Sequence, residues 1–171
     1  MKLIEGGRAL PILVESQAFE GVKLIAEAVA EDICLVTDVR PEVVSEAFLE
    51  SKSQETDKGV ILCVTMGHSP LLQRLEAEGK FTAAELKDKR EVFKLALVEQ
   101  PFPGIDQALV ICGSDKRGTI YGMFTLSEYL GVTPLVYWGD AAPAKVSAPV
   151  IKEDIQVTSK EPSVRFRAIH Q

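Results

Sequence analysis

Along the chain, short and continuously apolar segments alternate with longer segments in which apolar residues recur every three or four positions. A continuous apolar run rich in β-branched residues is typical of a strand that is covered on both faces, and one occurs at 59–64. The segments 10–14, 91–98 and 107–112 are predicted to be strands as well. Helical spacing predicts amphipathic helices near 22–33 and 120–130. Strands that alternate with helices predict an α/β fold, with a mixed, largely parallel sheet and helices packed on it.

Capping residues and turns support these elements. Ser69-Pro70 follows the run 59–64 and has the chemistry of a helix N-cap and a proline at the first helical position, so a helix is predicted from there to Gly79. Gly131 stands where the helix near 120–130 would need a left-handed residue to end. The segment 101–104, Pro-Phe-Pro-Gly, predicts a turn between the last two strands.

The composition is that of an ordinary globular domain, with 171 residues, 46% apolar and 26% charged. We expect an α/β domain over 1–150 and a terminal strand and linker over 151–171, with the Ala- and Pro-rich stretch 141–149 as a wrapping segment or linker. No stretch approaches the roughly 20 apolar residues of a membrane span. The net charge of −6, without a cluster of basic and aromatic residues, argues against nucleic acid as a partner.

The cysteines do not indicate a metal or a disulfide. Each of the three lies inside an apolar stretch, and there is no CxxC pair or nearby histidine: Cys34, Cys63 and Cys112. We expect all of them to be buried as small hydrophobic residues. No metal or cofactor is predicted for the chain.

The loop from Gly113 to Gly118 joins a predicted strand to a helix, where backbone N–H groups and the helix dipole can hold an anion. Its sequence, GSDKRG, matches neither GxGxxG nor GxxxxGK(S/T), and no acidic ribose-binding residue follows it. We therefore interpret the loop as a tight turn that docks on another surface.

The sequence indicates neither a serine hydrolase site nor a glycosidase site. His68-Ser69 follows a strand, but Leu71 stands where the pattern GxSxG requires its second glycine, so His68 and His170 are expected at a surface or interface. Glycoside hydrolysis needs two opposed carboxyl groups. The acidic residues show no such pairing and are predicted to lie on a solvated surface: Glu76, Glu78, Glu85, Asp88 and Glu91.

The only tryptophan, Trp138, follows Tyr137 and precedes a Gly-Asp turn. An aromatic pair here could line a sugar site or anchor the segment in the core, and we favour anchoring. In the first case, the pair would form a stacking platform together with Phe102.

Three segments carry a family resemblance: GVILCVTMGHSPLLQRLEAEGK at 59–80, ALVICGSDKRGTIYGMFTLSEYLGVTPLVYWGDAAP at 108–143, and SKEPSVRFRAI at 159–169. They resemble the N-terminal domain of glycoside hydrolase family 115, and the similarity runs from about Ala9 to Ile169. The resemblance implies an accessory domain before a TIM-like catalytic barrel, in enzymes that remove glucuronic acid or its 4-O-methyl ether from xylan.

The resemblance also implies where the chemistry lies. The catalytic residues belong to the barrel, which is expected to be absent from this chain, so the fragment alone is predicted to be inactive. Its partner is the barrel in cis, and xylan-derived carbohydrate is bound through the parent enzyme. The parent enzyme is expected to be periplasmic or extracellular, although the N-terminus has no signal-peptide pattern.

We predict that a charged loop at a helix start forms polar contacts with the barrel. The interface or substrate-rim candidates are Ser114, Asp115, Lys116, Arg117, Tyr137 and Trp138. A stand-alone carbohydrate-binding module and a small nucleotide-dependent enzyme are the alternative functions.

Overall fold

A computed structural model describes residues 1–51, 57–139 and 141–164 of the chain. Among these residues, the structure contains strands, α-helices and a 3-10 helix (Ala84–Leu86). The strands are β1 (Ile4–Glu5), β2 (Arg8–Ala9), β3 (Ile12–Val14), β4 (Val43–Val44), β5 (Asp57–Thr65), β6 (Phe93–Glu99), β7 (Ile105–Gly113) and β8 (Gln156–Thr158). The α-helices are α1 (Glu20–Thr37), α2 (Ala47–Ser51), α3 (Pro70–Ala77), α4 (Lys116–Tyr129) and α5 (Leu135–Trp138).

Within these residues, six strands form one sheet in the order β4-β3-β5-β7-β6-β8, and β1 pairs separately with β2. Four adjacent strands, β4, β3, β5 and β7, are parallel to one another. β6 is antiparallel to both of its neighbours, β7 and β8. This arrangement confirms the predicted α/β fold with a mixed, largely parallel sheet.

Helices cover both faces of the sheet. Alternate residues of a strand point to opposite faces, so Ile61 and Cys63 join one hydrophobic cluster together with α1 and α4, while Val60, Leu62 and Val64 join another with α2 and α3. Because both sets are buried, the part of β5 from Val60 to Val64 has no polar face, and its sequence is continuously apolar.

The predicted helix ends are confirmed. The Ser69 hydroxyl accepts a hydrogen bond from the backbone N–H of Leu72 at 3.0 Å, with Pro70 in the first turn of α3. Gly131, just after α4, has a φ of +90°, a conformation that favours glycine. Among the residues described, none of the helices has the length and apolar character of a transmembrane segment.

The cysteine prediction is confirmed for two of the three residues. Burial raises the pKa of the Cys63 and Cys112 thiols to about 12. Cys34 is only partly buried, because it lies on the side of α1 that turns away from the sheet. All three are free thiols.

The segment after α5 lies against the domain. The backbone N–H of Val146 donates to the carbonyl of Val36 at the end of α1, and Ile151 exchanges backbone hydrogen bonds with Met1 and is fully buried. β8 then extends the sheet. The proposed domain division at residue 150 stays a prediction.

Candidate interaction site at the carboxyl edge of the sheet

The carboxyl ends of β3, β5, β7 and β8 lie at the same edge of the sheet, because these strands run in one direction. The helix after β3 packs on one face and the helix after β5 on the other. The crevice between β3 and β5 is therefore the place where open α/β sheets usually bind ligands. Two groups of polar residues occupy this edge, one in the crevice and one beyond β7.

A buried carboxylate fills the crevice. Glu15, which directly follows β3, is only 4% exposed. Its Oε1 accepts a hydrogen bond from the backbone N–H of Leu71 at 3.1 Å, and the Ser69 hydroxyl bonds to the same carboxyl group. The N-terminus of α3, which could hold an anionic ligand, is thus occupied by the chain's own side chain.

The pKa values of the two acidic residues of the crevice are shifted in opposite directions. Burial raises the pKa of Glu15 above its usual range; the bonds from Ser69 and Leu71 counteract that rise, and repulsion from Glu46 adds to it. The hydroxyl and backbone N–H of Ser16 donate to Glu46 and lower its pKa. The surroundings of Glu15 therefore disfavour its charged form, whereas those of Glu46 favour the carboxylate.

Glu15→Gln is expected to make the domain more stable at neutral pH, because the amide oxygen can still accept from Leu71 while the buried charge is removed. A raised carboxyl pKa contributes stability below the ordinary value of 4.5 that is lost as the pH rises through the folded-state pKa. The gap between the variant and the wild type should therefore open as the pH rises from about 4 to 8. Urea unfolding across this range measures it.

Glu46→Gln is the matched control for that experiment. Because the pKa of Glu46 is lowered, its contribution is present above the ordinary value and is lost as the pH falls. This variant should be less stable than the wild type at neutral pH and equal to it in acid. Equal pH profiles for the two variants would contradict the assignment.

The second group is the loop between β7 and α4, whose first two side chains point inward. Asp115 caps α4, since its Oδ1 accepts from the N–H of Gly118 at 2.8 Å, and its Oδ2 accepts from the N–H of Glu91, also at 2.8 Å. The Ser114 hydroxyl accepts from the N–H of Val92 at 3.1 Å. Both residues therefore fasten the loop to the segment that leads into β6.

The next two residues point outward. Lys116 is exposed, and the Arg117 side chain is 63% exposed while its Nη1 lies 3.0 Å from Oε1 of Glu91. Cations in the first turn of a helix oppose the helix dipole and are unfavourable by a few tenths of a kcal/mol. Lys116 and Arg117 therefore do not stabilise α4 through its dipole.

Glu91 was predicted to lie on a solvated surface, and this is wrong: the residue is 8% exposed. It has a φ of +57°, so the strand predicted from this residue begins only at Phe93. Its burial follows from the two contacts with Asp115 and Arg117 across the edge. Of the other acidic residues, Glu76, Glu78 and Asp88 are exposed as predicted, and Glu85 is half-buried beside Lys94.

The segment after β8 runs along the same edge. Glu161 forms an ion pair with Arg90 at 2.9 Å, which lowers the pKa of Glu161. The Ser159 hydroxyl accepts from the N–H of Phe93 at 2.9 Å. Arg90 thus contacts this segment, and the next residue, Glu91, contacts Arg117.

The glycines of the loop are required by packing. A Cβ on Gly118 would lie 2.2 Å from the carbonyl oxygen of Val92, and a Cβ on Gly113 would lie 2.0 Å from the backbone nitrogen of Thr119. Thr119 is fully buried and donates to the carbonyl of Val64 at 3.0 Å. The glycine spacing thus reflects close contact between α4 and the sheet.

The aromatic predictions need correction. Trp138 is 85% exposed and does not anchor the segment, because it ends a helix of only four residues on which Leu135 is exposed as well. Phe102 is 3% exposed within the core and cannot belong to a stacking platform. The prediction for the Tyr137 side chain lies outside the described part of the structure.

The histidines and possible metal ligands add little to the site. His68 is exposed, as predicted, and its ring packs against Phe19 with 4.2 Å between centroids. His170 and residues 165–169 of the third resemblance segment lie outside the described residues. In the described part of the chain, no three His, Cys, Asp or Glu residues are grouped so that they could hold a metal ion.

Comparison with solved structures finds this fold within a larger enzyme. A structure described as a family GH115 4-O-methyl-α-glucuronidase with specificity for decorated arabinogalactans superposes with a TM-score of 0.71 at 22% identity. The fold matches one domain of a GH115 enzyme. The superposition covers 92% of this chain and 18% of that chain. No protein-family model matches the sequence, and none of the curated proteins does.

Proposed function

We propose that this chain is a non-catalytic domain of a larger GH115-type enzyme and that it braces the catalytic barrel through the carboxyl edge of its sheet. The superposition carries the proposal, because almost the whole chain corresponds to 18% of a GH115 enzyme. The remainder of such an enzyme consists of other parts of the same polypeptide, and the catalytic site can lie in one of them.

The carboxyl edge supports a role without catalysis. The N-termini of both α3 and α4 are occupied by side chains of the chain itself, Glu15 and Asp115. The two carboxyl groups of the crevice, Glu15 and Glu46, are held in hydrogen bonds with Ser69 and Ser16. Glycoside hydrolysis requires two carboxyl groups that face the scissile bond from either side.

Lys116 and Arg117 are the residues that we propose to contact the barrel. Both side chains are exposed, and both oppose the helix dipole. Ser114 and Asp115 support the loop from behind. The segment 159–162 reaches the same edge through Arg90, so a barrel that follows it would begin close to the loop.

The parent enzyme, in this proposal, removes glucuronic acid or 4-O-methylglucuronic acid side chains from glucuronoxylan. The superposed enzyme is described as specific for decorated arabinogalactans, so the uronic acid side chain and not the backbone polymer would be the common feature. Because polymers of this size do not cross the cytoplasmic membrane, we place the parent enzyme in the periplasm or outside the cell.

We expect the longer protein that carries this chain to release uronic acid from glucuronoxylan, and the purified 171-residue chain to release none. Anion-exchange chromatography of the products measures both, with arabinogalactan as a second substrate. Release by the isolated chain would contradict the proposal. A reading frame without a catalytic domain would contradict it as well.

The exposure of Trp138 favours one alternative, a carbohydrate-binding module in which this residue stacks on a sugar ring. Calorimetric titration of the isolated chain with xylo-oligosaccharides separates the two functions. A bracing domain gives no binding heat. Binding that is lost in Trp138→Ala would favour the module.

A further inference from the structure

Three exposed lysines, Lys87, Lys89 and Lys160, form no ion pair within the described part of the chain. Lys87 and Lys89 lie in the loop between the 3-10 helix and β6, and Lys160 follows β8. These three residues are termed the lysine patch. The segments 87–90 and 160–161 carry four cations and two anions, although the whole chain has a net charge of −6. The patch is therefore a local excess of positive charge on an acidic domain.

Two contacts hold the segments of the patch together. The Thr158 hydroxyl donates to a carboxylate oxygen of Glu85 at 3.2 Å, and Arg90 forms an ion pair with Glu161 at 2.9 Å. In each segment, the patch residues lie between the two residues that make these contacts. The pKa of Glu161 is lowered by its hydrogen bond with Arg90 and also by the nearby charge of Lys89. The three ammonium groups therefore stand on two segments that lie side by side.

Many other cations in the described residues do form ion pairs. The paired cations are Lys23, Arg40, Arg74, Lys80, Arg90, Lys94, Arg117 and Lys145. Acidic residues outnumber basic residues by 25 to 19, so carboxylates are abundant in this chain. The lysine patch departs from this pattern, and its ammonium groups remain available to an anionic partner.

The loop of Lys87 and the proposed barrel contact lie on different sides of the sheet edge. Leu86, directly before Lys87, is fully buried in the hydrophobic cluster that includes α2 and α3. The helix that begins with Lys116 and Arg117 packs into the opposite cluster together with α1. A barrel that contacts Lys116 and Arg117 would therefore approach from the α4 side, whereas the loop of Lys87 lies on the α3 side.

We infer that the lysine patch binds the carboxylates of a polysaccharide with uronic acid side chains, an inference that rests on the proposed function. A lysine ammonium is a compact charge with three donors, which suits a carboxylate. Each exposed ion pair is weak, so binding depends on several carboxylates of one polymer meeting several lysines. A released uronic acid carries one carboxylate and is held only weakly.

A polysaccharide with separated carboxylates suits this surface better than a nucleic acid does. A nucleic acid carries a negative charge at every phosphate, and a chain with a net charge of −6 repels such a dense row of charges. The segments 87–90 and 158–162 contain no aromatic residue on which a base could stack. The local cations can instead meet individual uronate groups.

Affinity electrophoresis of the isolated chain tests the inference. In a native gel that contains glucuronoxylan, the chain should migrate more slowly than in a gel with the same polymer after chemical reduction of its carboxyl groups. The difference should be clear at an ionic strength of about 0.01 M and vanish near about 1 M, because the screening length falls from about 30 Å to about 3 Å. Equal migration in the two gels at low salt would overturn the inference.

A variant that carries Lys87→Gln, Lys89→Gln and Lys160→Gln tests the residues of the patch. Its apparent Kd for glucuronoxylan should rise by at least about threefold, because three weak ion pairs are lost. It should melt within about 2 °C of the wild type, since substitutions of exposed residues change stability little. An unchanged Kd would show that the patch does not bind the polymer.

The matched control carries Lys2→Gln, Arg8→Gln and Lys152→Gln. These residues are exposed as well, but they lie at the amino end of the parallel strands. The control has the same net charge as the patch variant and should bind glucuronoxylan as the wild type does. An equal rise of the Kd in both variants would reveal an effect of net charge alone and contradict the assignment.

The remaining outcomes are also decisive. Single-stranded DNA that binds at least as tightly as glucuronoxylan would make nucleic acid the partner and refute the inference. Binding that depends on the patch, in a longer protein that releases no uronic acid, would refute the proposed function and support the patch. Release of uronic acid by the longer protein, without slower migration of the isolated chain, would do the reverse.

Discussion

Replacing Gly118 by alanine is expected to lower the free energy of unfolding of this domain by about 3 kcal/mol. The added Cβ would lie 2.2 Å from the carbonyl oxygen and 3.1 Å from the nitrogen of Val92. A backbone group cannot rotate away as a flexible side chain can. Relief requires α4 to move away from Val92 and the sheet, which would expose Met123 and Leu126 of the core. Urea unfolding followed by circular dichroism measures the loss.

Gly21→Ala is the matched control, because it makes the same chemical change in the neighbouring helix. A Cβ on Gly21 would meet Ile120 at 3.6 Å and Lys116 at 3.7 Å, both ordinary contacts. Alanine is a better helix former than glycine by up to about 1 kcal/mol, so this variant should be slightly more stable than the wild type. A loss of similar size in both variants would contradict the packing explanation.

Asp115→Ala is expected to destabilise the domain by about 2 kcal/mol. The substitution removes the acceptor for two backbone N–H groups, those of Gly118 and Glu91, each 2.8 Å from a carboxylate oxygen. Glu91 is buried, so water cannot easily replace the lost acceptor. Asp115→Asn should fall between the alanine variant and the wild type, since asparagine caps a helix well but has only one acceptor oxygen.

Lys116→Ala is the control in the same loop. It removes an exposed cation from the first turn of α4 and should be neutral or slightly stabilising in the isolated chain. Thermal unfolding of the three variants side by side tests this order. If Lys116→Ala were as damaging as Asp115→Ala, the inward and outward roles assigned within the loop would be wrong.

The sequence predicted the layered fold because the signals involved are local. A strand segment buried on both faces must be apolar, as residues 60–64 of β5 are, and an amphipathic helix must repeat its apolar residues along one side, as α1 does. Ser69 and Gly131 begin and end helices through interactions within a few residues of their own position. These features need no knowledge of distant contacts.

The burial of charged residues could not be predicted in this way. Glu91 is buried because Asp115 and Arg117, from a later part of the chain, fold back over it. Glu15 is buried because α3 begins next to the end of β3. A separation of 56 residues between Glu15 and Leu71 leaves no pattern in the sequence that could reveal their contact.

The candidate site was predicted in part. The sequence identified the loop after β7, and the structure divides that loop into residues that hold it and residues that point to solvent. The interface role of Lys116 and Arg117 stays a prediction. For Trp138, local preference for a buried aromatic was misleading, because the short helix that carries it packs against the core through Val136 and leaves Trp138 exposed.

The carboxylates of Glu15 and Asp115 are part of the chain itself and compete with dissolved anions for the helix ends that they occupy. A tethered group acts at an effective concentration in the millimolar range or above, which dissolved phosphate or free uronic acid would have to exceed. The N-termini of α3 and α4 are thereby closed to small anions. Under the proposed function, the domain would accompany an enzyme for acidic sugars without retaining their released products at these two helix ends.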